Sequence, residues 1–471
     1  MAAVALLAAG CGGTTAQVGS GASSIVPASA PAFIAIDADP SSQQWQTIDA
    51  LASKFPDKQK AVDSIKQDLS KDDVSWEQDV RPVLQGEFDF VWLDFENKGQ
   101  NFVGLMQPRD EAKFKELVAK ANKAESDPSN RAVYDKFRGW YVIATKRDTI
   151  DRFEQESTAA ATSLADEKTF KESMDRLGSD SVVRAYVNGK FLMNLARRYG
   201  GAQVKPYLNK FGTLDWIALR MGATSEGVGL DTIVHGTPGP LFKSAAKSSA
   251  FSAKLLGTVP ANALVYLSFH GAKGMFNGLA QNPVLSTPQF RQFAQPLQQI
   301  GRVLEGENAL YMRAGARIPE VTLVSTPSTL GTPIVDRMVQ KFTGTAPQAR
   351  TIGGARVHSV ASNGVGLYYA DVDGKFVVSD QPQGIAAAKG SGKTLTDSSE
   401  FQQAKDASGM PDKTWSALYV NIHASVPYAE KLAQQHIPAE IARNIAPLRS
   451  AVEYAASHTH ELQVTFFLRI K

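Results

Sequence analysis

The chain has 471 residues, 43% hydrophobic and 21% charged, enough apolar material for about two to four packed domains, which excludes wholesale disorder. Its 50 Lys+Arg against 47 Asp+Glu leave a net charge of +3, too weak a field to gather phosphates, so nucleic acid is not an expected partner. A single cysteine excludes an internal disulfide. Beyond the N-terminus no apolar run reaches the roughly 18 residues of a membrane helix.

That cysteine, Cys11, follows the apolar stretch Ala2 to Gly10. Small residues before a Cys at the end of a short apolar segment are similar to the lipobox of bacterial lipoprotein signals. There the peptidase cleft needs small side chains and the sulfur takes a diacylglycerol. Ala8 stands where a branched residue is usual, and no Lys or Arg precedes Lys54. The expectation is therefore a translated start upstream of Met1 and lipid attachment at Cys11. Gly12 to Ser24 is small, polar and uncharged, as a flexible tether would be.

Taken in chain order, Trp45, Ile48, Ala52 and Phe55 share a helical face behind Ser41 or Ser42 as cap, and Val62, Ile65 and Leu69 repeat the pattern. Phe88 to Phe95 reads as a strand, Asn97-Lys98-Gly99 as a turn and Phe102 to Met106 as the returning strand. Asp110 caps a helix carrying Phe114, Leu117, Val118 and Ala121. Strand patterns recur at Trp140 to Thr145, Val182 to Asn188, Leu214 to Gly222 and Val228 to His235, with a helix over Lys190 to Arg198. Further strands are expected near Ala309 to Ala314, Val321 to Ser325, Leu367 to Ala370, Phe376 to Ser379, Trp415 to Asn421 and Leu462 to Arg469.

The second half repeats the first. Val26 to Ile36 aligns without gaps with Val259 to Phe269, and Val83-Leu84-Gln85-Gly86-Glu87 with Val303-Leu304-Glu305-Gly306-Glu307. Gly139 to Ile143 matches Gly374 to Val378. Leu164, Asp166 and Phe170 match Leu395, Asp397 and Phe401, and Tyr186-Val187-Asn188 matches Tyr419-Val420-Asn421. The order is preserved throughout, which predicts a domain-scale duplication. We divide the chain into a leader and tether (1–24), copy one (25–236), a linker (237–257) and copy two (258–471). Hairpins with helices between them predict an α+β fold, two tandem copies of a mainly antiparallel sheet packed by helices.

These matched motifs, behind a lipobox-like leader, resemble the bacterial family catalogued as domain of unknown function 3352. The resemblance spans nearly all of residues 25–471. It implies an envelope location, through a lipoprotein or membrane-anchor leader, and carries over no catalytic residue.

Each candidate for chemistry has a structural alternative. Gly390-Ser391-Gly392-Lys393-Thr394 is similar to the end of a phosphate loop, but Ala387 stands where that loop needs Gly. Ser244-Ala245-Ala246-Lys247 has serine–lysine enzyme spacing without the companion motifs, and lies in the linker. His458-Thr459-His460 sets two imidazoles on one strand face without a third zinc ligand, and is favoured as a turn. Asp37 with Asp39, and Asp94 with Glu96, are paired carboxylates favoured as solvated strand ends, since Asp37 is His270 in copy two. Asn188 and Asn421 are expected to cap the helices that follow them. No Gly-x-Ser-x-Gly elbow or His-Glu-x-x-His occurs.

The expectation is therefore a lipid-anchored extracytoplasmic protein on the bacterial cell membrane, with a non-catalytic binding or scaffolding role and no cofactor, metal or catalytic residue. Its expected partners are the membrane, an envelope protein or an apolar ligand. Two alternatives stand beside it: a carrier holding an apolar or lipid ligand in a groove between the repeats, and an enzyme whose site is assembled from scattered residues.

Overall fold

The computed structural model describes residues 21–201, 208, 212–239, 250–273, 276, 291–326, 331–362, 365–389, 392–458 and 460–471. Cys11, Ser244 to Lys247, Gly390, Ser391 and Thr459 lie outside the described residues.

Copy one runs β1 (Ala32–Asp37), α1 (Gln43–Ala52), α2 (Lys58–Lys71), β2 (Glu87–Trp92), β3 (Phe102–Met106), α3 (Glu111–Ala124), β4 (Val133–Phe137), β5 (Trp140–Ala144), α4 (Arg147–Ala159), α5 (Lys168–Leu177), β6 (Val183–Asn188), α6 (Gly189–Tyr199), β7 (Trp216–Thr224) and β8 (Gly227–His235). Copy two contributes β9 (Val265–His270), β10 (Glu307–Arg313), β11 (Glu320–Ser325), β12 (Gln348–Ile352), β13 (Ala355–Ser362), β14 (Val365–Val372), β15 (Lys375–Ser379), β16 (Ser416–Val420), β17 (Leu448–His458) and β18 (Glu461–Ile470). All pair antiparallel, giving the α+β fold expected. In space the order is β4-β5-β3-β2-β1-β6-β7-β8 in copy one. It continues as β18-β17-β16-β9-β10-β11-β15-β14-β13-β12 in copy two. Corresponding strands thus occupy corresponding places, and the copies join edge to edge through β8 and β18. The β12–β13 hairpin is an addition of copy two.

The matched sequence motifs prove to be turns, caps and packing. Arg138-Gly139 and Asp373-Gly374 both have positive φ at two successive residues, the hairpin turn in which glycine relieves strain. Glu87 Oε1 accepts the amides of Gly21 and Ala22 at 3.2 and 3.1 Å, and Glu307 Oε1 that of Leu255 at 2.6 Å. Asp166 with Ser163, and Asp397 with Thr394, form capping boxes. The Asn188 side chain accepts from Phe191 N at 3.1 Å and that of Asn421 from Ala424 N at 3.0 Å, the caps expected. Phe170 meets Tyr186 edge-on at 5.3 Å, and Phe401 meets Tyr419 at 5.1 Å.

Each copy closes its own core. Phe33, Val91, Leu105, Phe153, Leu164, Phe170 and Tyr186 belong to one cluster, and Tyr266, Ala309, Val324, Val377, Leu395, Phe401 and Tyr419 to a second. The two units are joined by a strand ladder and share a smaller cluster at the seam, where Leu51 and Ala223 meet Ile470.

Some details differ from expectation. β4, β12 and β13 were not predicted: β4 and β12 carry exposed or half-exposed residues, and β13 buries Val357 between more exposed neighbours without strong alternation. On α2 only Leu69 is buried, and Ile65 is 36% exposed. The end of the expected linker belongs to copy two: Phe251 bridges to Thr414 and Leu255 is buried in the second core.

Candidate functional site

A concavity of about 680 Å³ lies in copy one, lined by Ser29, Leu93, Asp94, Glu96, Arg152, Glu156, Phe191, Asn194, Leu195 and Arg198. Three elements build it. The loop after β2 supplies Asp94 and Glu96, held by the turn at Asn97, Lys98 and Gly99, all at positive φ. α4 supplies Arg152 and Glu156. α6, started by its Asn188 cap, supplies an apolar wall of Phe191 and Leu195, with Phe95 edge-on to Phe191 at 5.6 Å.

The charged groups are paired. Arg152 Nη1 donates to Asp94 Oδ2 at 2.5 Å and its Nε to Glu156 Oε1 at 2.7 Å. Asp94 Oδ1 also accepts from Glu96 N and Asn101 Nδ2, each at 2.7 Å. Burial by itself would raise the Asp94 pKa, but the hydrogen bonds from Arg152, Asn101 and the Glu96 amide outweigh it and hold the carboxyl below its ordinary value. Burial likewise opposes the charge of Arg152, and its two carboxylate partners more than offset that. Both groups are thus locked in their charged forms at neutral pH, which suits them to hold a polar ligand and not to exchange protons with one. Arg198 Nη1 reaches Glu96 Oε1 at 3.3 Å on the exposed rim.

In copy two, Leu195 corresponds to Tyr428, whose hydroxyl accepts the Gly315 amide at 3.0 Å and whose ring is buried. Phe95 corresponds to Gly315. A buried tyrosine in one copy thus stands where the other has a leucine in the wall of the concavity.

The other sequence candidates are separate from this cleft. Asp37 lies at the opposite end of the β1–β2 ladder from Asp94, and it is 3% exposed rather than solvated. Its Oδ1 accepts from Asp39 N at 3.0 Å, and its pKa is pushed up to about 6, first by burial. Asp39 is spent on the Ser41 amide at 2.9 Å. Thr394 is the cap of a capping box, a structural role. His460 has φ +68 in the turn joining β17 to β18, as favoured from sequence, and Glu461 is paired to Arg176 at 2.6 Å. Among the described residues no group of three His, Cys, Asp or Glu could hold a metal ion. Sequence reasoning missed Arg152, Glu156, Phe191, Leu195 and Arg198. A usable signal was present: in the two Asn-capped helices Leu195 aligns with Tyr428.

No protein-family model matches the chain, and no curated protein matches it. Among solved structures, crystal form IV of TP0453 is similar at 16% identity and TM-score 0.26, covering 47% of this chain and 82% of that one. Form III gives 16% and 0.25, covering 45% and 78%, and form I gives 13% and 0.24, covering 47% and 79%. Likeness at this level carries no argument about fold or activity. Among the described residues no helix is long and apolar enough to cross a membrane.

Proposed function

We propose that the chain is a membrane-tethered extracytoplasmic lipoprotein with a non-catalytic binding or scaffolding role in the bacterial cell envelope, anchored by lipid on Cys11. Membership of domain of unknown function 3352 is part of this proposal and rests on the duplicated motifs. One observation carries the binding role: copy one has a lined concavity with Leu195 in its wall, whereas the equivalent Tyr428 of copy two is buried with its hydroxyl on the Gly315 amide. Duplication supplied two equal frames, and one of them keeps a lined concavity with fixed charges and an apolar wall, the usual make-up of a ligand site. The tether rests on the apolar stretch before Cys11 and the uncharged spacer after it.

Native purification followed by small-molecule and lipid mass spectrometry tests the cleft, with the Leu195→Tyr chain as control. A species retained by the parent and lost from the variant supports the reading. Equal retention, or none in either, overturns it. The tether is tested separately, by mass spectrometry of the native N-terminus: an unmodified peptide spanning Ala9 to Gly13 refutes it.

A further inference from the structure

An antiparallel sheet that turns one face to water ordinarily alternates apolar and polar residues. Here the core-side row through the seam is partly polar, with Arg184, Asp231 and Thr465 buried, and the outer face is the apolar one. The core-side residues Ala35, Ser268, Ala309 and Ala417 are buried. One position along, the strand registers align Val183, Met221, Leu230, Phe466, Leu418 and Leu267 into one row on the outer face. Five of these are half-buried, and Phe466 is 39% exposed. The neighbouring row, through Leu219 and Val464, is also largely apolar.

The same stripe is covered at both flanks by amphipathic helices, and at the seam α1 already packs Ile48, Leu51 and Phe55 on the adjoining outer-face residues Ala223, Val228, Leu468 and Ile470. At the copy-one end Phe88 and Met106 lie with Phe114, Leu117 and Val118 of α3. At the copy-two end Leu323 and Val378 lie with Ile334 and Val339 of the helix Gly331–Thr343. None of the six central residues joins the buried clusters at either flank. Within the row one charge interrupts the apolar surface, Glu453 between Phe466 and Leu418. Glu453 is exposed and makes no ion pair with a described residue.

We propose that this outer face, across the seam between the copies, is a docking surface for an amphipathic helix of a partner protein whose apolar side carries a basic residue opposite Glu453. The kind of occupant follows from the fold: helices cover this stripe wherever it is already covered. The charge follows from Glu453, which a wholly apolar occupant would strand. The length fits: the seven strands of this row, at about 4.8 Å spacing, span roughly 29 Å, the reach of a helix of about 19 residues. The surface deepens the binding role proposed above but needs neither the cleft nor the tether.

The test is photo-crosslinking of the full chain in its native cells, with benzoylphenylalanine at Phe466 and, independently, at Leu230. Exposed Ile318, away from this face, serves as control, and thermal unfolding verifies that each chain is folded. The expected result is an adduct, identified by peptide mass spectrometry, to an amphipathic segment with Lys or Arg within its apolar side. Its yield should fall about tenfold on Glu453→Lys. Adducts only to lipid, adducts to a second copy of this chain, a partner segment lacking the basic residue, no adduct at either position, or a yield unchanged by Glu453→Lys each overturn the proposal. Adducts are scored in membrane and soluble fractions alike and repeated in Leu195→Tyr, so loss of the tether or the cleft is distinguishable from loss of this surface.

Discussion

Thr465 donates its hydroxyl to Asp231 Oδ1 at 2.6 Å, and these two residues occupy the same place in the two copies. β8 and β18 pair antiparallel with Asp231 opposite Thr465, so a local two-fold axis passes between them. Around that axis the partners have diverged. Arg220 holds Asp231 Oδ2 at 2.6 Å and donates to Leu177 O at 3.1 Å. Its counterpart Tyr454 donates to Ser408 O at 3.3 Å, and Ser408 ends the helix equivalent to α5. One copy uses an arginine, the other a tyrosine, to reach the same helix end.

The seam should therefore respond to loss of one hydroxyl. Thr465→Val keeps the shape and removes the donor, and is expected to lower the unfolding free energy by about 1–2 kcal/mol. Thr465→Ser should recover most of this. Denaturant titration of the three chains decides it; a Val variant as stable as the parent would show that the hydrogen bond contributes nothing to the joint.

The core-side row through this seam contains a costly group further into copy one. Asp89 is fully buried, neither carboxyl oxygen has a hydrogen-bond partner, and burial raises its pKa well above the ordinary value. Copy two has Ala309 there. Asp89→Leu is expected to raise the unfolding free energy by about 1–3 kcal/mol, because an unpaired buried polar group is replaced by an apolar one of similar size. A lowered melting temperature for a folded variant would contradict this.

Acid response should carry the signature of Asp37. Its folded pKa of about 6 lies above the ordinary 3.8, so the native state binds a proton where the unfolded chain has released it. Stability from this group is present in full below the lower value and is lost as pH rises through about 6. The span is on the order of 2–3 kcal/mol. Asp37→Asn should remove that slope and gain on the parent near neutral pH. Asp94 has the opposite sign: its lowered pKa contributes stability that is lost as pH falls below the ordinary carboxylate range. Urea midpoints of parent and Asp37→Asn from about pH 7 down to about pH 2 separate the two, the Asp37 slope lying above the ordinary carboxylate value and the Asp94 slope below it.

Glu87 and Glu307 should behave as a matched pair. Each accepts backbone amides from the turn that precedes its copy's first strand. Glu87→Ala and Glu307→Ala are each expected to cost about 1–2 kcal/mol, whereas Gln, which retains an accepting oxygen, should cost less. Amide exchange gives the local readout: faster exchange at Ala22 in the first case and Leu255 in the second. Unchanged protection would separate the motif from the turn.

Much of the frame was legible because its signals are local. The turn at Asn97 to Gly99, the Asp110 cap and the strand Phe102–Met106 depend on residues close in sequence, and the structure places them as read. β12 carried no such signal, because a strand with one neighbour and exposed side chains needs no apolar alternation. The cleft was illegible for a different reason. Asp94 and Arg152 are far apart in sequence, and either one alone reads as an ordinary surface charge.

The amino-acid sequence by itself determined the duplication, the helix caps, the hairpin turns and the α+β class, since each rests on backbone preferences and periodicities that act over a few residues. The tertiary structure alone decided that β8 would take β18 as its neighbour, that Tyr428 would be buried while Leu195 lines a concavity, and that Phe466 on the outer face would stay exposed. Those outcomes depend on which edge, helix or side chain arrives from elsewhere in the chain, and burial and pairing are properties of that arrival, not of the residue.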